Sequence, residues 1–169
     1  MKKSQRIVWA GFLAVTLFAL TAFNAGKAAS LREQFFKAFS SGNKEQIDQA
    51  LAVVGEADGK MARAYEGALL MKKAGLIKGP GEKLKMFKKG HEIFESELAA
   101  DPGNAELRFI RLCIQENAPK VLKYRHEIEE DKAYVVKSFA SLPADIRKHI
   151  LDYAESSDVL PADELKQKN

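Results

Sequence analysis

Apolar residues recur along this chain every three or four positions, with polar residues filling the gaps, a spacing that belongs to helices rather than strands. The pattern is densest over Asn104–Glu116, NAELRFIRLCIQE, which follows the turn Asp101-Pro102-Gly103. Wound at about 100° per residue, Leu107, Phe109, Ile110, Leu112, Cys113 and Ile114 cover more than half of the helix circumference. Arg108, Arg111 and Gln115 remain as a thin polar stripe at i, i+3 and i+7. So apolar a helix is expected at the centre of a helical protein.

The same period predicts the neighbours. Leu31, Phe35, Phe36 and Phe39 form a helix that opens on the capping pair Ser30/Glu33 and stops near Gly42. Ile47, Ala50, Leu51 and Val54 form a second, opened by Asn43/Gln46 and closed by Gly55. A third runs from about Gly59 to Ala74 with Met61, Ala64, Tyr65, Ala68, Leu69 and Leu70 as its apolar positions. Gly79-Pro80-Gly81 breaks the link that follows. In the fourth helix, Glu82–Ala100, Leu84, Phe87, His91, Phe94 and Leu98 form one stripe, and Met86, Gly90 and Ile93 form a second. Two stripes predict burial on two sides. Pro119 ends the central helix. Beyond it the pattern predicts a short helix through Val121, Leu122 and Ile128, then one capped by Asp131 that carries Val135, Val136 and Phe139. A last helix carries Ile146, Ile150 and Tyr153. Residues 156–169 are polar and expected to fray. No stretch alternates with period two, so the expected fold class is all-α.

The first residues change the picture of the whole. Lys2, Lys3 and Arg6 precede an uncharged apolar run from Ile7 to Phe23, and Gly26-Lys27-Ala28 offers a small-x-small cleavage site. Residues 1–28 are therefore expected to be a signal peptide, with residues 29–155 one helical domain and the protein periplasmic or extracellular. The alternative is an inner-membrane anchor over residues 7–23, the one route by which membrane contact is expected. Lys2, Lys3, Arg6 and Lys27 also account for the entire net charge of +4, because the remaining basic and acidic residues balance. The net charge therefore carries no argument for nucleic-acid binding. Cys113 is the only cysteine, so no internal disulfide can form and stability must come from packing.

Candidate chemistry is sparse. His91 and Glu95 stand i, i+4, a spacing that can hold a metal, but the apolar stripe around His91 marks it as a core histidine. His126, beside Glu127, Glu129, Glu130 and Asp131, lacks the glycine-bearing calcium loop and reads as a solvated acidic turn. His149 reads as a helix-face residue, and Cys113, between Leu112 and Ile114, as a small core residue. Gly79-Pro80-Gly81-Glu82-Lys83 lacks the Gly-Lys-Ser/Thr ending of a phosphate loop. Lys72, Lys73, Lys78, Lys83, Lys85, Lys88 and Lys89 make a basic stretch, expected to be a solvated face that can also meet anionic lipid or an acidic partner. Arg108, Arg111 and Gln115 are the candidate binding residues: two guanidinium forks on one ridge can hold a carboxylate or phosphate of a partner. The favoured reading pairs them instead with Glu127, Glu129, Glu130 or Asp131 of the same chain.

Residues 86–104 resemble the second half of a tetratricopeptide repeat. Gly90, Phe94 and Pro102 fall at the intervals of that family's small residue, aromatic and proline, and Asp101-Pro102-Gly103-Asn104 resembles its inter-repeat turn. The pattern departs at the second small position, which is Glu97, and in the longer link from the helix carrying Tyr65 and Gly67. The central helix also lacks the family's leading aromatic and glycine. Elsewhere the chain resembles small exported bacterial proteins. The resemblance implies antiparallel helix pairs stacked as a short array, and a protein or peptide partner. The expected function is thus a non-catalytic interaction module without metal or cofactor. The alternative is an envelope hydrolase or metal-dependent enzyme with its site near His91 or His126.

Overall fold

A computed structural model describes residues 30–168, and the expected signal segment, cleavage site and membrane anchor lie outside them. Among the described residues there are eight α-helices and no strand. They are α1 (residues 30–41), α2 (Lys44–Gly55), α3 (Lys60–Ala74), α4 (Pro80–Ala100), α5 (Ala105–Asn117), α6 (Ile128–Ser138), α7 (Ala144–Ala154) and α8 (Ala162–Gln167). Two 3-10 turns, Lys120–Leu122 and Phe139–Ser141, link α5 to α6 and α6 to α7. No helix among the described residues is long and apolar enough to cross a membrane.

Local chemistry sets several boundaries as the pattern implies. The Asn43 side chain accepts from the Gln46 backbone N–H at 3.0 Å. Asn104 accepts from the N–H groups of both Glu106 and Leu107, so α5 begins where its apolar run does. Pro80 and Gly81 lie within α4 and not in the link before it, where the sequence pattern puts them. Gly79, at φ +87°, turns the chain in, and Pro80 is the first helical residue, where its missing N–H has no intrahelical role.

Helix α3 is the hub. It packs against α2, α4 and α5. Its contact with α4 is made through glycines. A Cβ on Gly67 would lie 2.7 Å from the Gly90 carbonyl oxygen and the Phe94 nitrogen, and one on Gly90 would lie 2.8 Å from the Met71 nitrogen. The two backbones touch, so only glycine fits at either point. Across α3's other side Phe35 stacks on Tyr65 with ring centroids 4.1 Å apart, and Phe36 stacks on His149 at 4.2 Å. These rings tie α1 to α3 and α7.

Three expectations are corrected. Helix α4 is not buried on two sides: only Gly90, Phe94, Glu97 and Leu98 enter the core, while Leu84 is exposed and Phe87 and His91 are half-buried. Asp131 is no cap. It lies in the first turn of α6 and is fully buried. Residues 156–168 do not fray as a polar tail, because Leu160 and Leu165 sit in the core and α8 packs on α7.

Candidate binding groove

The polar stripe of α5 is paired within the chain, the reading favoured from sequence. Arg111 is buried, and it grips Asp131 with two near-parallel bonds, Nε to Oδ2 at 2.6 Å and Nη2 to Oδ1 at 2.8 Å. Its third nitrogen, Nη1, donates to Glu95 Oε2 at 3.1 Å. Arg108 bonds Glu130 at 2.8 Å and Asp131 at 2.9 Å through Nη1, and the Pro102 carbonyl through Nε. Its guanidinium also lies 4.5 Å over the Tyr134 ring centre. Gln115, wholly buried, donates to Glu127 Oε2 at 2.7 Å. Burial works against the Arg111 charge, but the Asp131 bonds and field more than offset it, and its pKa stays above the ordinary value. The polar ends of all three candidate binding residues thus meet carboxylates of their own chain.

Glu95 and Glu127 connect this buried network to a groove. Its volume is about 490 Å³, within the range of small-ligand and peptide pockets. One wall is α4, whose Leu84, Phe87, Lys88, His91 and Glu95 fall on a single stripe. The other is the segment after Pro119: Leu122, Lys123, Tyr124, His126 and Glu127. That segment is not the helix predicted through Val121, Leu122 and Ile128. It makes one 3-10 turn, and Lys123 then takes a left-handed conformation at φ 51°, ψ 30° that reverses the chain. An L-residue there costs about 1–3 kcal/mol and persists only where the surroundings impose it.

Three rings line the interior. Tyr124 meets His91 edge-on with centroids 4.7 Å apart and Phe87 edge-on at 5.7 Å. The Tyr124 hydroxyl donates to Glu95 Oε1, so both Glu95 oxygens are engaged, one by Tyr124 and one by Arg111. Burial first, and then the Glu95 carboxylate, raise the Tyr124 phenol far above its ordinary pKa. It stays protonated and holds the loop to α4. Lys88 and Lys123 line the same groove, both exposed and neither with an ion-pair partner among the described residues. Glu92, one turn along α4 from Lys88, forms no ion pair with it.

The two histidines singled out in the sequence thus line one groove: His126 stands on the exposed acidic turn expected for it, whereas His91 is half-buried at the groove and not in the core. Among the described residues no three His, Cys, Asp or Glu side chains converge as a metal-holding group. The groove lining contains no serine, threonine or cysteine. Cys113 is buried, which raises its thiol pKa well above the ordinary value, and it lies away from the groove. His149, stacked on Phe36, is also elsewhere.

Phe87, Leu122, Lys123 and Tyr124 do not stand out in the sequence as site residues. The one available signal is Tyr124, an aromatic residue amid the polar positions of the stretch 119–127 that connects two helices. A second buried assembly, Arg32 and Tyr65 on Glu106, packs α1 to α3 and α5 and stands apart from the groove. Comparison with protein-family models, with curated proteins and with solved structures finds no match for this chain.

Proposed function

We propose that the chain is a non-catalytic interaction module and that the groove between α4 and residues 119–127 receives a segment of a partner protein or peptide. One observation carries this reading. Leu84, Phe87 and His91 have the spacing of a core stripe, yet they open onto a groove with exposed Lys88 and Lys123 at its edge. An apolar stripe left uncovered on a helix is a common basis for docking a partner segment. Arg108, Arg111 and Gln115 enter as the support behind the groove: Arg111 fixes Glu95, Gln115 fixes Glu127, and Arg108 shares Asp131 with Arg111.

The pairing of α3 with α4, followed by the Pro102 turn and α5, is read as a tetratricopeptide-like element. The backbone contact at Gly67 and Gly90, and the core position of Phe94, support that reading. Residues 1–28 are taken as the export signal, which places the module in the periplasm or outside the cell.

A photo-crosslinking residue at Leu84, in the native cell, tests the proposal, with Val53 on α2 as the control position. The expected result is one identified product captured from position 84 only, whose yield falls when Phe87 is changed to Ala. Equal capture from position 53, or a yield indifferent to Phe87→Ala, would reject it. A second reading, hydrolytic or metal-dependent chemistry, draws on His91 and His126 lining one groove with Tyr124. It requires stoichiometric metal in the purified protein that a His91→Ala or His126→Ala variant loses, or turnover of ester or peptide substrates that either variant abolishes.

A further inference from the structure

The groove lining holds two lysines and two glutamates. Glu95 is taken up by the chain itself, bonding Tyr124 and Arg111, while Glu127 accepts from the buried, uncharged Gln115. Lys88 and Lys123 have no such duty. Lys120 and Arg125, in the same segment of chain, are likewise exposed and without an ion-pair partner among the described residues. The walls between these cations are Leu84, Phe87, Leu122 and the buried Tyr124 ring. The recess therefore offers an apolar slot edged by cations whose counter-ions the chain does not supply.

Building on the proposed docking role, we infer that the segment the groove receives is acidic, with an aromatic or aliphatic side chain flanked by aspartate or glutamate. The apolar side chain fills the slot between Phe87 and Leu122, and the flanking carboxylates meet Lys88 and Lys123. Charge argues against a second copy of this chain as occupant. A second copy would bring its own unpaired Lys88 and Lys123 to the contact, and like charges at close range disfavour association. A bilayer is the other source of negative charge, and the vesicle arm of the test below separates it from an acidic segment. Association should be steered by charge and weakened by salt.

The test uses the full chain and labelled short peptides read by fluorescence anisotropy. One peptide carries phenylalanine between glutamates, the second has glutamine for each glutamate, and the third has glycine for the phenylalanine. The first is expected to bind. Affinity should fall by about tenfold or more for the second and third, and by a similar factor for a Lys88→Gln/Lys123→Gln variant with the first, each loss matching one or two rim contacts. Circular dichroism should show that variant folded, since both lysines are exposed and unpaired. If the glutamine peptide binds as tightly as the glutamate peptide, the acidic requirement is overturned. The docking role itself survives that result only if Phe87→Ala still weakens both. If no peptide binds while phosphatidylglycerol vesicles do, the inference is overturned in favour of a bilayer. If neither binds, it is overturned outright, and the crosslinking yield at Leu84 then decides the docking role separately.

Discussion

Arg111 of α5 and Asp131 of α6 meet through two bonds of 2.6 and 2.8 Å, and the Asp131 side chain has no exposed surface. Asp131 also accepts from Arg108, so this fully buried carboxylate is shared by two guanidiniums, each of which keeps one further, more exposed carboxylate in Glu130 or Glu95. Removing it leaves both arginines short of counter-charge, one of them buried. Breaking such a pair costs about 3–5 kcal/mol, a large share of a domain's net stability of about 5–15 kcal/mol. Asp131→Ala and Arg111→Ala should therefore both lower the denaturant midpoint strongly. A loss within about 0.5 kcal/mol for Arg111→Ala, as for an exposed side chain, would contradict the buried pairing.

Gly67→Ala should destabilise the α3–α4 contact. The new Cβ meets backbone on the opposite helix, which has no rotamer with which to yield, and forced overpacking costs about 1–3 kcal/mol or more. Gly81→Ala is the control. A Cβ there meets nothing within 4 Å, and α4 gains roughly 0.5–1 kcal/mol of helix propensity. Thermal melts of the two variants should move in opposite directions, and parallel shifts would refute the close approach.

Leu165→Ala tests whether the C-terminal helix belongs to the fold. Leu165 is 0% exposed, equal to Ile110 at the centre of α5. Both truncations should cost about 2–5 kcal/mol. If Ile110→Ala destabilises and Leu165→Ala does not, α8 is only loosely attached.

His149 should make stability sensitive to acid. Burial against Phe36 is the main cause of its lowered pKa, and Lys148 and Arg32 act in the same direction, with Asp152 and Asp145 opposing. The folded state then binds its proton less readily than the unfolded chain, whose imidazole titrates at about 6.5. This contribution is present above about pH 6.5 and is lost as pH falls through the folded value. His149→Phe keeps an aromatic ring on Phe36 and removes the titration. Its melting temperature should fall less than that of the parent below about pH 6.5, and superimposable pH profiles would exclude the effect.

Much of the helical layout was legible from sequence because its causes are local. A cap such as Asn43 or Asn104 bonds a backbone group two or three residues away, and a proline break at Pro119 acts on its own turn. The burial of Ile110 and Ile114 followed in the same way, from their place mid-arc on a helix with almost no polar surface. The candidate site was legible only in part. Arg108, Arg111 and Gln115 stood out as a stripe, and Glu127, Glu130 and Asp131 were among their foreseen partners. Glu95 was not, since it reaches Arg111 from another helix.

Sequence by itself determined where this chain coils, because periodicity, caps and breakers act within a few residues of one another. Tertiary structure alone decided which apolar stripes are covered. Leu84, Phe87 and His91 repeat as faithfully as any core stripe, yet no described helix covers them, and they line a groove. Leu165, in a stretch too polar to carry a clear pattern, is covered completely. The physical reason is that burial depends on what a distant segment places opposite a residue. For α4 that segment is residues 119–127, turned by a left-handed Lys123, and periodicity holds no record of that turn.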